Sequence, residues 1–273
     1  ETDIDVLEKE NTKISRKDLG FPERKCLLCD NPACQCGRSR KHSIEELRKK
    51  IYGIIWEEQL QRGVAAEISQ ALMEEVYTTP KPGLVDREDT GAHTDMNCQT
   101  FQKSTEAIAE DLAAMFEAGY SWEADPKTLF PLLRERGKKT EEKMFVATGG
   151  VNTHKGIIFT IGILAAAAGI SLRNYGKIES EDVCRISLEM TKKELEQDLR
   201  KLKQSSGITH GEKIYCHLGE KGVRGLAMSG YPILCERTVP HMKQYIANNR
   251  DQNQINVQTV SYTHLTLPTN REV

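Results

Sequence analysis

The sequence predicts an all-α fold for most of the chain, and three observations carry that prediction. Apolar residues recur every four positions at Leu60, Val64, Ile68, Leu72 and Val76. A second stripe, Phe101, Ser104, Ile108, Leu112 and Phe116, recurs at three and four, the spacing that turns one helix face toward a core. The run from Gly156 to Ile170 is apolar except for Thr160 and glycines and is shorter than the roughly twenty residues that cross a bilayer, so it reads as a buried helix. No alternating series of strand period competes with these in the larger part of the chain.

Taken in order, the elements begin with Asp3-Ile-Asp-Val-Leu7, an alternating segment that would put Asp3 and Asp5 on one face of a short strand and make the first fifty residues a small α/β piece. Cys26, Cys29, Cys34 and Cys36 follow within eleven positions, with His42 beyond; soft sulfur and nitrogen ligands at this density would suit tetrahedral zinc, and reduced thiols in a small turn are the alternative. Phe21 to Ile51 carries eight Lys or Arg against four Asp or Glu, which suits either a phosphate-bearing ligand or a solvated surface. The helix marked by Leu60 to Val76 should stop near Thr78, because Pro80 and Pro82 lack backbone donors and push the preceding residues out of the helical region.

The loop from Pro80 to Asn97 holds two cations, four acids and a histidine in eighteen positions. Lys81 and Arg87 could meet phosphate oxygens, and Asp86, Asp89 and Asp95 are hard oxygen ligands of the kind magnesium takes beside a nucleotide's phosphates; a solvated linker is the plain alternative. After the Phe101 helix, Asp125-Pro126 reads as a cap and first-turn proline opening a helix through Leu133 despite Pro131. Gly149-Gly-Val-Asn-Thr-His-Lys155 then leads into the buried helix, where backbone amides and Lys155 would form an anion site with Gly149, Gly150, Asn152 and His154 around it. Thr191-Lys-Lys-Glu194 and Thr209-His-Gly-Glu212 both have the capping-box spacing, and Arg224 between two glycines has the shape of a phosphate fork.

A net charge of −2 and a pI near 6.5 give no global argument for nucleic-acid or membrane binding. Eight cysteines, four clustered and four scattered, do not form a small secreted scaffold, so reduced thiols and a cytoplasmic protein are expected.

Pro80-Lys-Pro-Gly-Leu-Val-Asp86, Gly91-Ala-His-Thr-Asp-Met96, Gly149-Gly-Val-Asn-Thr-His-Lys-Gly156, and Gly222-Val-Arg-Gly225 running into Gly230-Tyr-Pro232 resemble the triphosphoribosyl-dephospho-CoA synthases, which prepare the prosthetic group of citrate lyase. The resemblance covers about residues 55–260. Residues 1–51, through Arg24-Lys-Cys-Leu-Leu-Cys29 and Cys36-Gly-Arg-Ser-Arg-Lys-His42, resemble the closing part of the apo-citrate lyase phosphoribosyl-dephospho-CoA transferase, which serves the acyl carrier protein. Residues 261–273 resemble neither and are set apart from the fold, so the chain reads as the middle of a bifunctional fusion.

The resemblance implies attack of the 2′-hydroxyl of 3′-dephospho-CoA on the anomeric carbon of ATP with loss of adenine. Lys81, Arg87, Lys155 and Arg224 would hold the triphosphate, Asp86 and Asp89 magnesium, and His93 and Asp95 would share the proton transfers. Asp3 and Asp5 would hold magnesium in the transferase part, and Cys26, Cys29 and Cys36 zinc. Leu226 stands where the family usually has glutamate. Two other readings stay open: a helical metal-dependent phosphohydrolase, and an inactive nucleotide-binding fragment with a zinc-knuckle-like start.

Overall fold

The computed structural model describes residues 14, 18–202, 215–217, 219–248 and 250–266. Asp3, Asp5 and the Thr209–Glu212 segment lie outside them. The chain divides into two units, 1–60 and 61–273.

In the first unit a short antiparallel bridge, Lys25 to Pro32, precedes helix α1 (Ala33–Ser39), and Arg40 in the left-handed conformation (φ 49°) ends it. Helix α2 (Ile44–Tyr77) starts on a Ser43–Glu46 capping box, with the Glu46 amide donating to Ser43 Oγ (3.1 Å) and the Ser43 amide to Glu46 Oε2 (2.8 Å). It ends at Tyr77, as Pro80 and Pro82 require. Among the described residues there is no β-strand, only that one bridge.

The second unit is a helical bundle. Helix α3 (Cys98–Tyr120) is opened by Asn97, whose side chain accepts the Thr100 amide while Thr100 Oγ1 returns a contact to the Asn97 amide. A 3₁₀ turn (Pro126–Thr128) capped by Asp125 precedes α4 (Phe130–Thr148), followed by α5 (Lys155–Tyr175) and α6 (Ser180–Leu202). The expected single helix from Asp125 is therefore two pieces, because Pro131 has no amide to donate and is accommodated in the first turn of a new helix. Thr191-Lys-Lys-Glu194 is not a helix start: Thr191 lies buried inside α6 and its hydroxyl donates to the Ser187 carbonyl (2.8 Å) and the Ala227 carbonyl (3.2 Å).

The sequel is α7 (Gly222–Met228), a π-helical turn (Leu234–Thr238), α8 (Val239–Ala247) and α9 (Gln252–Thr266). Cys184 of α6 and Cys235 of the π turn form a disulfide, which corrects the expectation that the cysteines are all reduced. Cys26, Cys29, Cys34, Cys36, Cys98 and Cys216 are not in disulfides.

Helix α5 is central. By length and apolarity it would pass for a membrane span, but it packs against α3, α4 and α6, with Ile158, Ile163, Ala166, Ala167 and Ile170 in the core. Its contacts with α3 run in register: His154 just before α5 meets Phe101 and Ser104, Gly162 meets Leu112 and Met115, and Gly169 meets Phe116 and Tyr120. Both sequence positions rise together, so α3 and α5 are parallel and start at the same end of the bundle. They approach so closely that a Cβ on Gly119 would collide with the Ala166 carbonyl and one on Gly169 with the Phe116 carbonyl. Helix α4 runs the other way, with Phe130 against Phe159 and Lys155 against Glu141.

Candidate functional site

The parallel pairing of α3 and α5 sets the Pro80–Asn97 loop, which feeds α3, at the same end as the Gly149–His154 turn, which feeds α5. Buried polar contacts join the first turns of α3 to the Gly149–His154 turn. Thr153 Oγ1 donates to Ser104 Oγ (2.8 Å), and Ser104 Oγ lies 2.7 Å from His154 Nδ1. His154 is 1% exposed, stands edge-on to Phe101, and its backbone amide points at Met144 Sδ (3.2 Å). Burial pushes its pKa down to about 4, so the ring is neutral at physiological pH. A side chain so enclosed sits at the junction between α3 and the start of α5.

The loop itself is organised around two buried charges. Lys81 Nζ donates to the Glu75 carbonyl (2.7 Å) and carboxylate (2.9 Å), which closes the C-terminal end of α2 and leaves the ammonium no face for a phosphate. Asp86 accepts the amides of Glu88 (2.8 Å) and Asp89 (3.0 Å) on one oxygen and that of Lys81 (3.1 Å) on the other. The Thr79 hydroxyl first, then those amides, hold its carboxyl well below the usual carboxylate range, against the burial that would raise it. Both residues anchor the loop, Lys81 on the end of α2 and Asp86 on the loop's own amides. The Asn253 side chain completes the anchor from α9, accepting the Thr79 amide (3.0 Å) and donating to the Thr79 carbonyl (2.6 Å).

The remaining charged residues of the loop, and His93, are exposed or half-exposed. Arg87 is exposed and stacks over the Tyr77 ring at 5.5 Å. Asp89 is exposed and accepts the Gly91 amide (2.6 Å). His93 Nδ1 lies 3.9 Å from Asp95 Oδ1, with both side chains open to solvent.

Gly149 and Gly150 adopt positive φ (67° and 93°) and spend their amides on the end of α4, donating to the carbonyls of Val146 and Phe145. They shape the turn, with both amides committed to the end of α4. Asn152 Oδ1 lies 3.4 Å from the Lys155 amide, and Lys155 Nζ pairs with Glu141 (3.2 Å) while staying 43% exposed.

Lys155 and Arg224, far apart in sequence, line one cavity of about 510 Å³ between α4, α5, α6 and α7. Its floor is apolar, from Met115, Leu133, Ile158 and Ile163, and its charges are Arg134, Lys138, Lys155 and Arg224 against Glu141 and Asp198. Arg134 is held by Asp198 (2.7 Å) and stacks over Phe130 (4.9 Å). A second hollow of about 210 Å³ shares Glu141, Lys155, Phe159 and Arg224 and adds Lys221 and Tyr215. No residue of the Pro80–Asn97 loop lines either, so the chamber and the loop do not form a single cradle.

Sequence reasoning missed Arg134, Lys138 and Glu141. Their signal was present: with Gly137 they fall at intervals of three and four, a polar stripe on one face of α4. Leu226, at the position of the family's glutamate, packs against the core.

In the first unit Cys26, Cys29, Cys36 and His42 present ligand atoms within 4.8 Å of one another, and among the described residues they are the one such group of three or more. The His42 hydrogen bond draws the Cys29 thiol down to about 6, and burial pushes Cys36 up to about 11. Cys34 is exposed and lies outside this group.

The larger part of the chain is defined as an all-helical domain with a chamber of apolar floor and charged walls between α4, α5, α6 and α7. Residues 61–268 match the family model described as ATP:dephospho-CoA triphosphoribosyl transferase, and the chain belongs to that family. Residues 2–58 match a second model, apo-citrate lyase phosphoribosyl-dephospho-CoA transferase. Among curated proteins, those of Streptococcus pyogenes serotypes M3, M4 and M1, each named a probable 2-(5''-triphosphoribosyl)-3'-dephosphocoenzyme-A synthase, are 38% identical over 203 residues, 69% of this chain and 69% of the relative. No solved structure matches the chain.

Proposed function

We propose that the chain transfers the 5-triphosphoribosyl group of ATP to the 2′-hydroxyl of 3′-dephospho-CoA and releases adenine, as part of a fusion whose first portion belongs to the transferase that loads the acyl carrier protein of citrate lyase. Family membership supports the reaction. The observation that carries the site is the chamber shared by Lys155 and Arg224 beside the start of α5. Its volume suits a nucleotide-sized ligand, and its fixed cations would neutralise a triphosphate without reorganising during the reaction.

Lys155 and Arg224 grip the phosphates, with Lys138 at the rim. Arg134, already locked by Asp198, orients the wall instead of binding directly. His93 and Asp95, adjacent and solvent-accessible at the same end of the bundle, exchange the protons: one takes that of the attacking hydroxyl, the other supplies that of departing adenine. Displacement occurs in one step with inversion, and no covalent intermediate on the protein is involved.

Magnesium, when bound to the phosphates, supplies further charge neutralisation. Asp89 fits it, being an exposed hard-oxygen donor, and Asp86 does not, its oxygens being committed to backbone amides. The cytoplasm, which supplies ATP and dephospho-CoA, is the compartment this reading assigns.

The test is incubation with ATP, magnesium and dephospho-CoA followed by chromatography. Free adenine in step with a triphosphoribosylated product is expected. Free phosphate without adenine would replace this reading by a phosphohydrolase, and nucleotide binding without turnover by a binding module.

A further inference from the structure

The first unit holds a site that the proposed reaction does not use. We propose that Cys26, Cys29, Cys36 and His42 bind one zinc ion as a closed, structural Cys₃His centre that folds the knuckle between residues 24 and 42.

The geometry is close to that of a metal already in place. Tetrahedral zinc with bonds of about 2.3 Å to sulfur and about 2.0 Å to nitrogen sets ligand atoms roughly 3.5–3.8 Å apart. Cys29 Sγ lies 3.5 Å from Cys36 Sγ and 3.3 Å from His42 Nε2, and all four ligand atoms fall within 4.8 Å of one another.

The backbone is arranged to deliver them. Cys26 and Cys29 flank a turn closed by hydrogen bonds from the Cys26 amide to the Asn31 carbonyl (2.8 Å) and from the Ala33 amide to the Arg24 carbonyl (2.7 Å). Cys36 projects from α1, and the left-handed residue Arg40 turns the chain so that His42 returns to the cluster. A non-glycine residue at positive φ costs about 1 kcal/mol, which some local interaction must offset. The outer groups also fit: the Leu28 amide faces Cys26 Sγ (3.5 Å) and Lys41 Nζ faces Cys29 Sγ (3.7 Å), so a donor and a cation offset the single net negative charge of three thiolates and a divalent ion.

Packing supplies the need for such a staple. Among the described residues of the first unit, Cys36 is the one buried hydrophobic side chain, while Leu19, Phe21, Leu27 and Leu28 are exposed. So small a segment cannot order itself on apolar burial alone, and a bound metal is the usual substitute. Binding displaces the thiol protons of the three cysteines and changes no oxidation state.

The full chain, purified without added metal, is expected to carry about one zinc per molecule by elemental analysis. After exchange with cobalt it should show the visible absorption of tetrahedral thiolate coordination. Cys34→Ser keeps full occupancy, Cys36→Ser and His42→Ala lose at least four-fifths of it, and His42→Cys, which restores a ligand, keeps it. Wild-type protein without zinc that also gives no tetrahedral cobalt spectrum overturns the proposal. So does loss of metal in Cys34→Ser equal to that in Cys36→Ser, which would mean adventitious thiol binding.

Discussion

Replacing Gly169 by alanine tests whether the α3–α5 contact sets up the whole site. In the native packing a Cβ at this position would overlap the Phe116 carbonyl and the Tyr120 amide, both backbone atoms of α3. Backbone cannot swing aside as a side chain can, so the two helices must separate along a seam that also buries Ile108, Leu112, Met115, Ile163 and Ala166. Overpacking of this kind costs about 1–3 kcal/mol. For a domain of this size, at about 2–4 °C per kcal/mol, the melting temperature should fall by roughly 2–12 °C.

Gly63→Ala is the internal control. Gly63 lies within α2 with nothing within 4 Å of an added Cβ, so alanine there should be neutral or stabilise by up to about 1 kcal/mol through helix propensity. Thermal and urea unfolding of both variants, followed by circular dichroism, read the difference directly. If Gly169→Ala melts no lower than Gly63→Ala, the close parallel contact is not a constraint, and the argument that it registers the two loops fails with it.

The other expectations concern the site. Lys155→Ala and Arg224→Ala should each raise the KM for ATP by about 10–100-fold, the loss of one charge-assisted contact of about 1.5–3 kcal/mol, while Lys81→Met acts on stability instead; equal KM effects at all three positions would reject the chamber as the phosphate site. Asp86→Asn should destabilise by about 1–3 kcal/mol at pH 7 because its amide-accepting oxygens are reduced to one. Its carboxyl is depressed on folding, so the wild-type advantage is complete above the unfolded value of about 4 and shrinks as pH falls below it; a difference from the variant that persists unchanged in acid would refute that origin. His154 is buried neutral with its pKa near 4, so the unfolded chain takes up the proton first and stability drops by roughly 2–3 kcal/mol as pH falls from about 6.5 to 4. His154→Gln should flatten that portion of a stability–pH curve, and an unchanged slope would mean that another group is responsible.

Which of these features could be read in advance follows from the range of the interactions involved. Helix positions were legible because a stripe such as Leu60 to Val76 is a local, periodic signal, and a helix end near Thr78, against Tyr77 in the structure, followed from two prolines. Thr191 shows the limit: its spacing to Glu194 is that of a cap, but the hydrophobic face of α6 continues through Val183, Ile186 and Met190 and carries the helix across it. Charge was the least legible property. Lys81 and Lys155 look alike in sequence, yet one is enclosed beside Glu75 and the other opens on the chamber.

By itself, the sequence determined the helical class, the two glycine- and proline-marked turns, the family and the cysteine motif, because each is written in neighbouring residues. Only the tertiary structure decided which charges remain available for a ligand. Parallel packing of α3 and α5 brought the turns to one end, burial converted Lys81, Asp86 and His154 into anchors, and α4 contributed Arg134, Lys138 and Glu141 to the chamber. The physical reason is that desolvation and partner choice depend on elements distant along the chain, which no local pattern encodes.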